Sequence, residues 1–224
     1  MREANEVKKI AIYTVIIGKY DALLNPAFID ENIDYICFTD DKYLTSSIWK
    51  VVLVETLKLD NARESRRYKI LPHLYLREYE ISMYVDANIK ILTDPRPFCL
   101  NSIKKAPITL FSHPVRKCIF KEAEVCIKLK KDEPRIIHKQ MEFYKSKNYP
   151  LNNGLVECGV LIRRHNEQGV INIMNDWWLH VKNYSKRDQL SFNFVTKEVK
   201  DGYINLLNMN LRNHECFNVV KRST

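Results

Sequence analysis

The sequence predicts an α/β fold, a mostly parallel central sheet flanked by helices in a single domain over residues 1–224. Three observations carry this. Short β-branched apolar runs alternate with polar, helix-like stretches through the first half of the chain. The first run, 9–17 (KIAIYTVII), is almost wholly apolar, as a strand covered on both faces must be. The 224 residues show no internal repeat, linker or break in composition, and their number is near that of one large domain.

Taken in order, the strand at 9–17 stops at Gly18-Lys19-Tyr20-Asp21. A second strand, 35–38, runs into Thr39-Asp40-Asp41, and a third covers 49–54. Residues 61–76 have helical character, and the strand 81–85 ends in Asp86-Ala87-Asn88. In the second half, 108–111 reads as a strand leading to His113-Pro114. Helices follow at 118–129, where Ile119, Ala123, Cys126 and Ile127 share a face, and at 135–146 after Pro134. Asn153-Gly154 is a turn before a strand at 160–162, and 170–181 is a strong helix with Val170, Met174, Trp177 and Val181 on one stripe. Trp177 belongs to the core, and its neighbour Trp178 covers adjacent surface. Ser185, with Asp188 three residues on, reads as an N-cap.

Composition narrows the function classes. Hydrophobic residues at 46% and charged residues at 28%, with 5 Gly and 8 Pro, exclude a disordered, collagen-like or low-complexity chain. The longest strongly apolar run, 11–17, is far short of the ~20 residues a membrane span needs. The 1–9 stretch is polar and charged with no secretory apolar core after it, so a cytoplasmic location is expected. Six cysteines without a C-x-x-C pair read as buried free thiols in a reducing compartment. Lys+Arg 36 against Asp+Glu 27 gives a net charge of +9. Such a surplus attracts phosphorylated ligands or the anionic inner face of a membrane. Nucleic acid is not an expected partner, because the basic residues form no tail and no RNP-type, zinc-ligand or basic heptad pattern is present.

In open α/β sheets ligands bind at the carboxyl ends of the strands, and three such ends here carry Asp21, Asp40/Asp41 and Asp86. Asp86 and Asn88, one residue apart after a strand, offer oxygen ligands for Mg²⁺ or Mn²⁺, ions usually shared with substrate phosphates. Arg63, Arg66, Arg67 and Lys69 form a cationic patch just upstream, suited to phosphate. His113 and Arg116 begin a loop after a strand; Glu157 could accept from sugar hydroxyls, and Gly159 permits close backbone approach. Asp188-Gln189 falls at a helix start, and His214 is a candidate nitrogen ligand. Each also has a plainer reading: turn residues, a solvated basic face, compensation of a helix dipole.

In combination, seven ordered segments resemble one family: IYTVIIGKYD (12–21), CFTDD (37–41), RRYKILPH (66–73), MYVDANIKI (83–91), HPVRKCIFKEAEVCI (113–127), NNGLVECGVLIRRHN (152–166) and RDQLSF (187–192). They resemble the glycosyltransferase-like family catalogued as domain of unknown function 616, with bacterial and plant Golgi members. That family is similar in turn to the GT-A nucleotide-sugar transferases of the glycogenin and lipopolysaccharide galactosyltransferase group. The resemblance implies a GT-A, Rossmann-like fold and a metal site at Asp86 and Asn88, completed by His214. It implies that Tyr13 and Thr14 border the nucleobase and Asp40 the base or ribose, with Arg67 and Lys69 on the phosphates and Ala87 in the donor site. Glu157, Cys158 and Gly159 would line the donor sugar, and Asp188 and Gln189 would lie near the reacting carbon, with His113 and Arg116 positioning substrate.

The expectation is therefore a Mn²⁺- or Mg²⁺-dependent glycosyltransferase moving a sugar from a nucleotide sugar, a UDP-sugar by resemblance, to a glycan or lipid-linked glycan acceptor. Retention of configuration follows from the same resemblance, and a role in surface polysaccharide or lipopolysaccharide synthesis follows from the resemblance together with the basic charge. A metal-dependent phosphoester or glycan hydrolase is the alternative, and a non-catalytic nucleic-acid-binding protein a weaker one.

Overall fold

The computed structural model describes residues 9–221; all but the last residue of the polar 1–9 stretch lies outside the described residues. Seven strands form one sheet in the order β3-β2-β1-β4-β7-β6-β8. These are β1 (Ile10–Ile16), β2 (Ile33–Thr39), β3 (Lys50–Leu53), β4 (Ile81–Val85), β6 (Ile108–Ser112), β7 (Val156–Arg163) and β8 (Ile204–Leu207). Pairings β1–β2, β1–β4, β2–β3 and β6–β8 are parallel, whereas β7 runs antiparallel to both β4 and β6. β5 (Ile89–Ile91) and β9 (Phe217–Val219) form a separate antiparallel pair beside the Asp86 strand end.

Strand β1 is buried along its whole length, as its apolar run requires. On one side of the sheet its Ala11, Tyr13 and Val15 pack with Tyr84, Met174 and Trp177. On the other, Ile10, Ile12 and Ile16 pack with Met83, Cys99 and Phe217. A third cluster joins α4 (Ile119–Lys128), α5 (Pro134–Ser146) and α7 (Gln189–Val195) through Cys126, Tyr144 and Leu190. All six cysteines are free and buried. Among the described residues no helix is long and apolar enough to cross a membrane.

Several boundaries differ from the sequence reading for identifiable reasons. The helix at 61–76 divides into α1 (Asn61–Ile70) and α2 (Pro72–Tyr75), because Pro72 lacks an N–H and excludes Leu71 from helical geometry. Asp60, not read as a cap, closes the front of α1 by accepting from the Arg63 N–H at 3.1 Å. Asp188, not Ser185, caps α7; the Ser185 hydroxyl donates instead to Asp132 at 2.8 Å. Helix α3 (Pro95–Lys105) and strands β5, β8 and β9 were outside that reading. Helix α6 (Gln168–Asn183) buries Trp177 completely, and the Trp177 indole N–H donates to the Asp188 carbonyl at 3.0 Å. That bond fixes the entry to α7 against the core.

Candidate functional site

Two pockets meet at Asp86. One, of about 380 Å³, opens at the carboxyl ends of β1 and β4 against the first turns of α1, with Ile17, Tyr20, Asp21, Asn61 and Arg66 in its wall. The other, of about 290 Å³, lies between the start of β7 and the end of β9 and contains Lys69, Asn88, Glu157, Asp188 and Arg212. Arg66, Asp86, Lys131 and Arg187 line both.

The local backbone explains the placement. Gly18 sits at φ +66, and a Cβ there would lie 2.0 Å from the Asn61 side chain. Glycine thus permits the turn that carries Tyr20 and Asp21 into the first pocket. The Gly18 N–H donates to Asp40 Oδ1 at 2.9 Å, so exposed Asp40 stabilises this turn and is not part of the pocket wall. At the second pocket the β6–β7 register shifts: Leu110 pairs with Leu161 but Phe111 with Glu157. The extra residues of β7 bend Glu157 and Cys158 away from a regular ladder and toward the cleft. The Asp86 N–H donates to the Gly159 carbonyl at 2.8 Å, and a Cβ on Gly159 would meet Ile89 at 2.9 Å. Glycine leaves room there for the Ile89 and Leu211 side chains and for Asp86 Oδ2, which a Cβ would crowd.

Lys69 and Asp188 form the electrostatic centre. The Lys69 ammonium is buried, 2.6 Å from Asp188 Oδ2 and 3.6 Å from Asp86 Oδ1, and lies over the Tyr84 ring. Burial alone would raise the Asp188 pKa; Lys69, Arg66 and Arg187 overcome it and hold the carboxyl at about 2. Asp86 Oδ1 also accepts from the Tyr84 hydroxyl at 2.7 Å. Glu157 pairs with Arg212 at 2.9 Å through one oxygen, while its buried Oε2 has no hydrogen-bond partner. Burial pushes the Glu157 carboxyl up, Arg212 opposes this and Asp86 adds to it. Gln189 donates to the Val156 carbonyl at 2.9 Å and accepts from Arg187, tying α7 to β7. On the far wall, Arg116 pairs with the Glu122 carboxylate and lies beside the His113 ring. His113 Nδ1 accepts from the Val115 and Arg116 N–H groups, and burial lowers its pKa, with Arg116 acting in the same direction.

The structure thus brings Asp86, Asn88, Lys69, His113, Arg116, Glu157, Cys158, Gly159, Asp188 and Gln189 to the second pocket and Ala87 to the first. It does not bring five others, of which Asp40, in the Gly18 turn, is one. Tyr13 and Thr14 are enclosed in β1, and the Tyr13 hydroxyl is occupied by the Lys69 carbonyl at 2.6 Å and by Arg163, so neither residue borders a ligand. Arg67 lies over the rings of Tyr68 and Tyr75; its neighbour Arg66 enters the pockets in its place. His214 is packed among Phe98, Phe111 and Phe217, and its Nδ1 accepts from the Cys216 N–H, in a different pocket from Asp86. Arg63 caps the end of α6 through the Val181 and Tyr184 carbonyls, a structural role. Sequence reasoning did not single out Tyr20, Lys131, Arg187 or Arg212. The first follows the Gly18 turn signal; Lys131 and Arg187 sit on loops and Arg212 in a single 3-10 turn, 211–213, with no periodicity to mark them.

A divalent cation needs several oxygen or nitrogen donors converging at one point. Among the described residues no group of three or more His, Cys, Asp and Glu side chains has such an arrangement. Asp86 is already engaged by Tyr84 and Lys69, and the Asn88 amide donates to the Val220 carbonyl at 3.1 Å. The side chains present do not fit a protein-built metal centre of Asp86, Asn88 and His214.

The mostly parallel central sheet flanked by helices is that of glycosyltransferases of GT-A-like fold. Mouse xyloside xylosyltransferase 1 superposes with a TM-score of 0.51 at 11% identity, over 89% of this chain and 84% of that one. The bifunctional glycosyltransferase WbbM gives 0.55 at 11% identity, over 89% of this chain but 39% of its own longer one. Comparison with curated protein sequences returns no match. The family model for the TOD1/MUCI70 glycosyltransferase-like domain matches residues 1–223, and the chain belongs to that family. This agrees with the resemblance carried by the seven segments.

Proposed function

We propose that the protein transfers a glycosyl group from a nucleotide sugar to a carbohydrate hydroxyl. The observation that carries this is the junction of a cation-rich pocket at the strand ends with an acid-containing cleft, the two sharing Asp86. The first pocket suits a nucleoside diphosphate: Tyr20 offers a ring and Asn61 an amide for the base, and Arg66, Lys131 and Arg187 offer charge to the phosphates. The second suits sugar: the unpartnered Glu157 Oε2 would accept from a hydroxyl and so recover a lost hydrogen bond.

In the reaction the bond from the anomeric carbon to the β-phosphate oxygen breaks with its electron pair leaving on the diphosphate. A bond to the acceptor oxygen forms, and the acceptor proton is released. Arg66 and Arg187 stabilise the charge that grows on the leaving diphosphate. Lys69 and Asp188 act as a fixed dipole beneath the reacting carbon, oriented before substrate arrives. Glu157 and the Arg116–His113 pair position the donor sugar and acceptor. The net charge of +9 suits an acceptor carried on an anionic lipid surface.

A thermal-shift panel of nucleoside diphosphates and nucleotide sugars tests this reading, since a ligand bound only by the folded chain raises the melting midpoint. One nucleoside diphosphate and its sugar esters should raise it; no response to any nucleotide would refute the assignment.

A further inference from the structure

The pocket at the ends of β1 and β4 carries five cationic side chains, Arg66, Lys130, Lys131, Lys186 and Arg187, against two carboxylates, Asp21 and Asp86. Four of the five sit on two loops that are far apart in sequence: the turn after α4 and the segment before α7. Buried Asp132 joins these loops. Its Oδ2 accepts from the Ser185 hydroxyl at 2.8 Å and the Lys186 N–H at 2.9 Å, and its Oδ1 accepts from the Glu133 N–H. The backbone N–H groups of Lys130 and Lys131 close the end of α4 onto the Ile127 and Cys126 carbonyls. The cations are therefore mounted on a braced wall, while Arg66 enters the same pocket from α1.

Two donors in this wall lack a hydrogen-bond acceptor. The Nε atoms of Arg66 and Arg187 are buried without a hydrogen-bond partner, and Arg66 Nε has only a long ion pair to Asp188 Oδ2 at 3.7 Å. Buried donors without acceptors are costly, and the oxygens of an anion would satisfy both. The charge balance points the same way. The lining has three more cations than carboxylates; Asp188, 3.7 Å from Arg66, and Asp132, 3.9 Å from Lys186, offset part of this surplus from behind the wall, and the positive face that remains complements a diphosphate and opposes a divalent cation. The carboxylate at the junction, Asp86, already has an ammonium 3.6 Å away.

We propose that this chain holds the donor diphosphate with the side-chain cations of Arg66, Lys131, Lys186 and Arg187 and requires no divalent metal to do so. The inference rests on the reading of this pocket as the nucleotide-sugar site. It assigns to the two-loop wall the neutralising role that a bound metal ion would otherwise have, and it makes Asp132 the residue that positions the wall.

Isothermal titration of the full chain with uridine diphosphate, the other nucleoside diphosphates and the matching monophosphates, in EDTA and then in Mn²⁺, tests the proposal. The expected result is the same diphosphate affinity in both buffers, within about threefold, and weaker binding of the monophosphate. Lys131→Gln and Lys186→Gln replace exposed or half-buried lysines and leave the core intact. Each should weaken the diphosphate roughly tenfold, the usual scale for one charge-assisted bond, while Lys104→Gln on distant α3 has no effect. Diphosphate binding that appears only with Mn²⁺ would overturn this inference and leave the donor-site reading standing, as would lysine variants that bind like the parent. No nucleotide binding in either buffer would overturn both.

Discussion

Replacing Asp188 by Asn takes away the carboxylate 2.6 Å from the Lys69 ammonium, a group whose side chain is only 2% exposed. The remaining partner, Asp86, is 3.6 Å away and partly solvated. Breaking one side of a buried ion pair costs about 3–5 kcal/mol, and the residual Asp86 contact puts Asp188→Asn at about 3 kcal/mol. The same ion pair also predicts an acid dependence. The Asp188 pKa lies below its ordinary 3.8, at about 2. Ionisation therefore stabilises the fold fully above the ordinary value, and that stabilisation is lost as pH falls through the lower one. A shift just under two units, at 1.36 kcal/mol each, corresponds to about 2 kcal/mol. Urea denaturation at pH 7 should show the larger loss for Asp188→Asn. The gap between parent and variant should then narrow by about 2 kcal/mol as pH is lowered from above 3.8 toward 2. Adding Lys69→Met should recover at least about 1 kcal/mol of the loss at neutral pH, because the stranded ammonium is gone. A single variant within about 0.5 kcal/mol of the parent, or parallel acid profiles, would show that the Lys69–Asp188 pair does not stabilise the fold.

Asp86→Ala should lower transfer by at least about 100-fold, the scale for loss of one preorganised electrostatic group, with a melting point within a few degrees of the parent; full activity would remove Asp86 from the site. Glu157→Gln should not lower stability, since burial raises the pKa of this carboxyl and its ionised form costs folding energy at neutral pH. The same variant should lose the acid limb of the pH–rate profile, which in the parent lies above the ordinary glutamate range; an unchanged limb would exclude Glu157. Gly159→Ala brings a Cβ to 2.9 Å from Ile89 and 3.5 Å from Asp86 Oδ2. It should cost about 1–3 kcal/mol by overpacking and reduce kcat/KM beyond what that instability explains. Vesicles containing anionic lipid should retain the protein at low salt and release it at high salt; no retention at low salt would detach the basic surface from any membrane acceptor.

The parts of the fold legible in the sequence are those where one physical signal dominates. β1 is unbroken and apolar because both faces are covered, and α6 shows a single stripe from Val170 through Trp177 to Val181. The strand-end acid at Asp86 and the cluster upstream of it were legible for the same reason. Which arginine of that cluster faces the ligand was not: Arg66 and Arg67 are adjacent, and only the packing of Tyr68 and Tyr75 under Arg67 decides between them. Tyr13 and His214 mark a second limit. Both are chemically capable residues near site segments in the chain, yet one is inside the sheet and the other inside an aromatic cluster. The cationic wall was hidden because its two loops are brought together by Asp132 and Ser185, a contact across 53 residues that no local pattern announces.

The most direct test of the account is release of nucleoside diphosphate from a panel of nucleotide sugars, with water or added glycans as acceptor, measured for the parent and for Asp86→Ala. Release is expected from one class of nucleotide sugar, with acceleration by a carbohydrate acceptor and loss of both in the variant. Release from none of the donors, or equal release by the variant, would contradict this expectation.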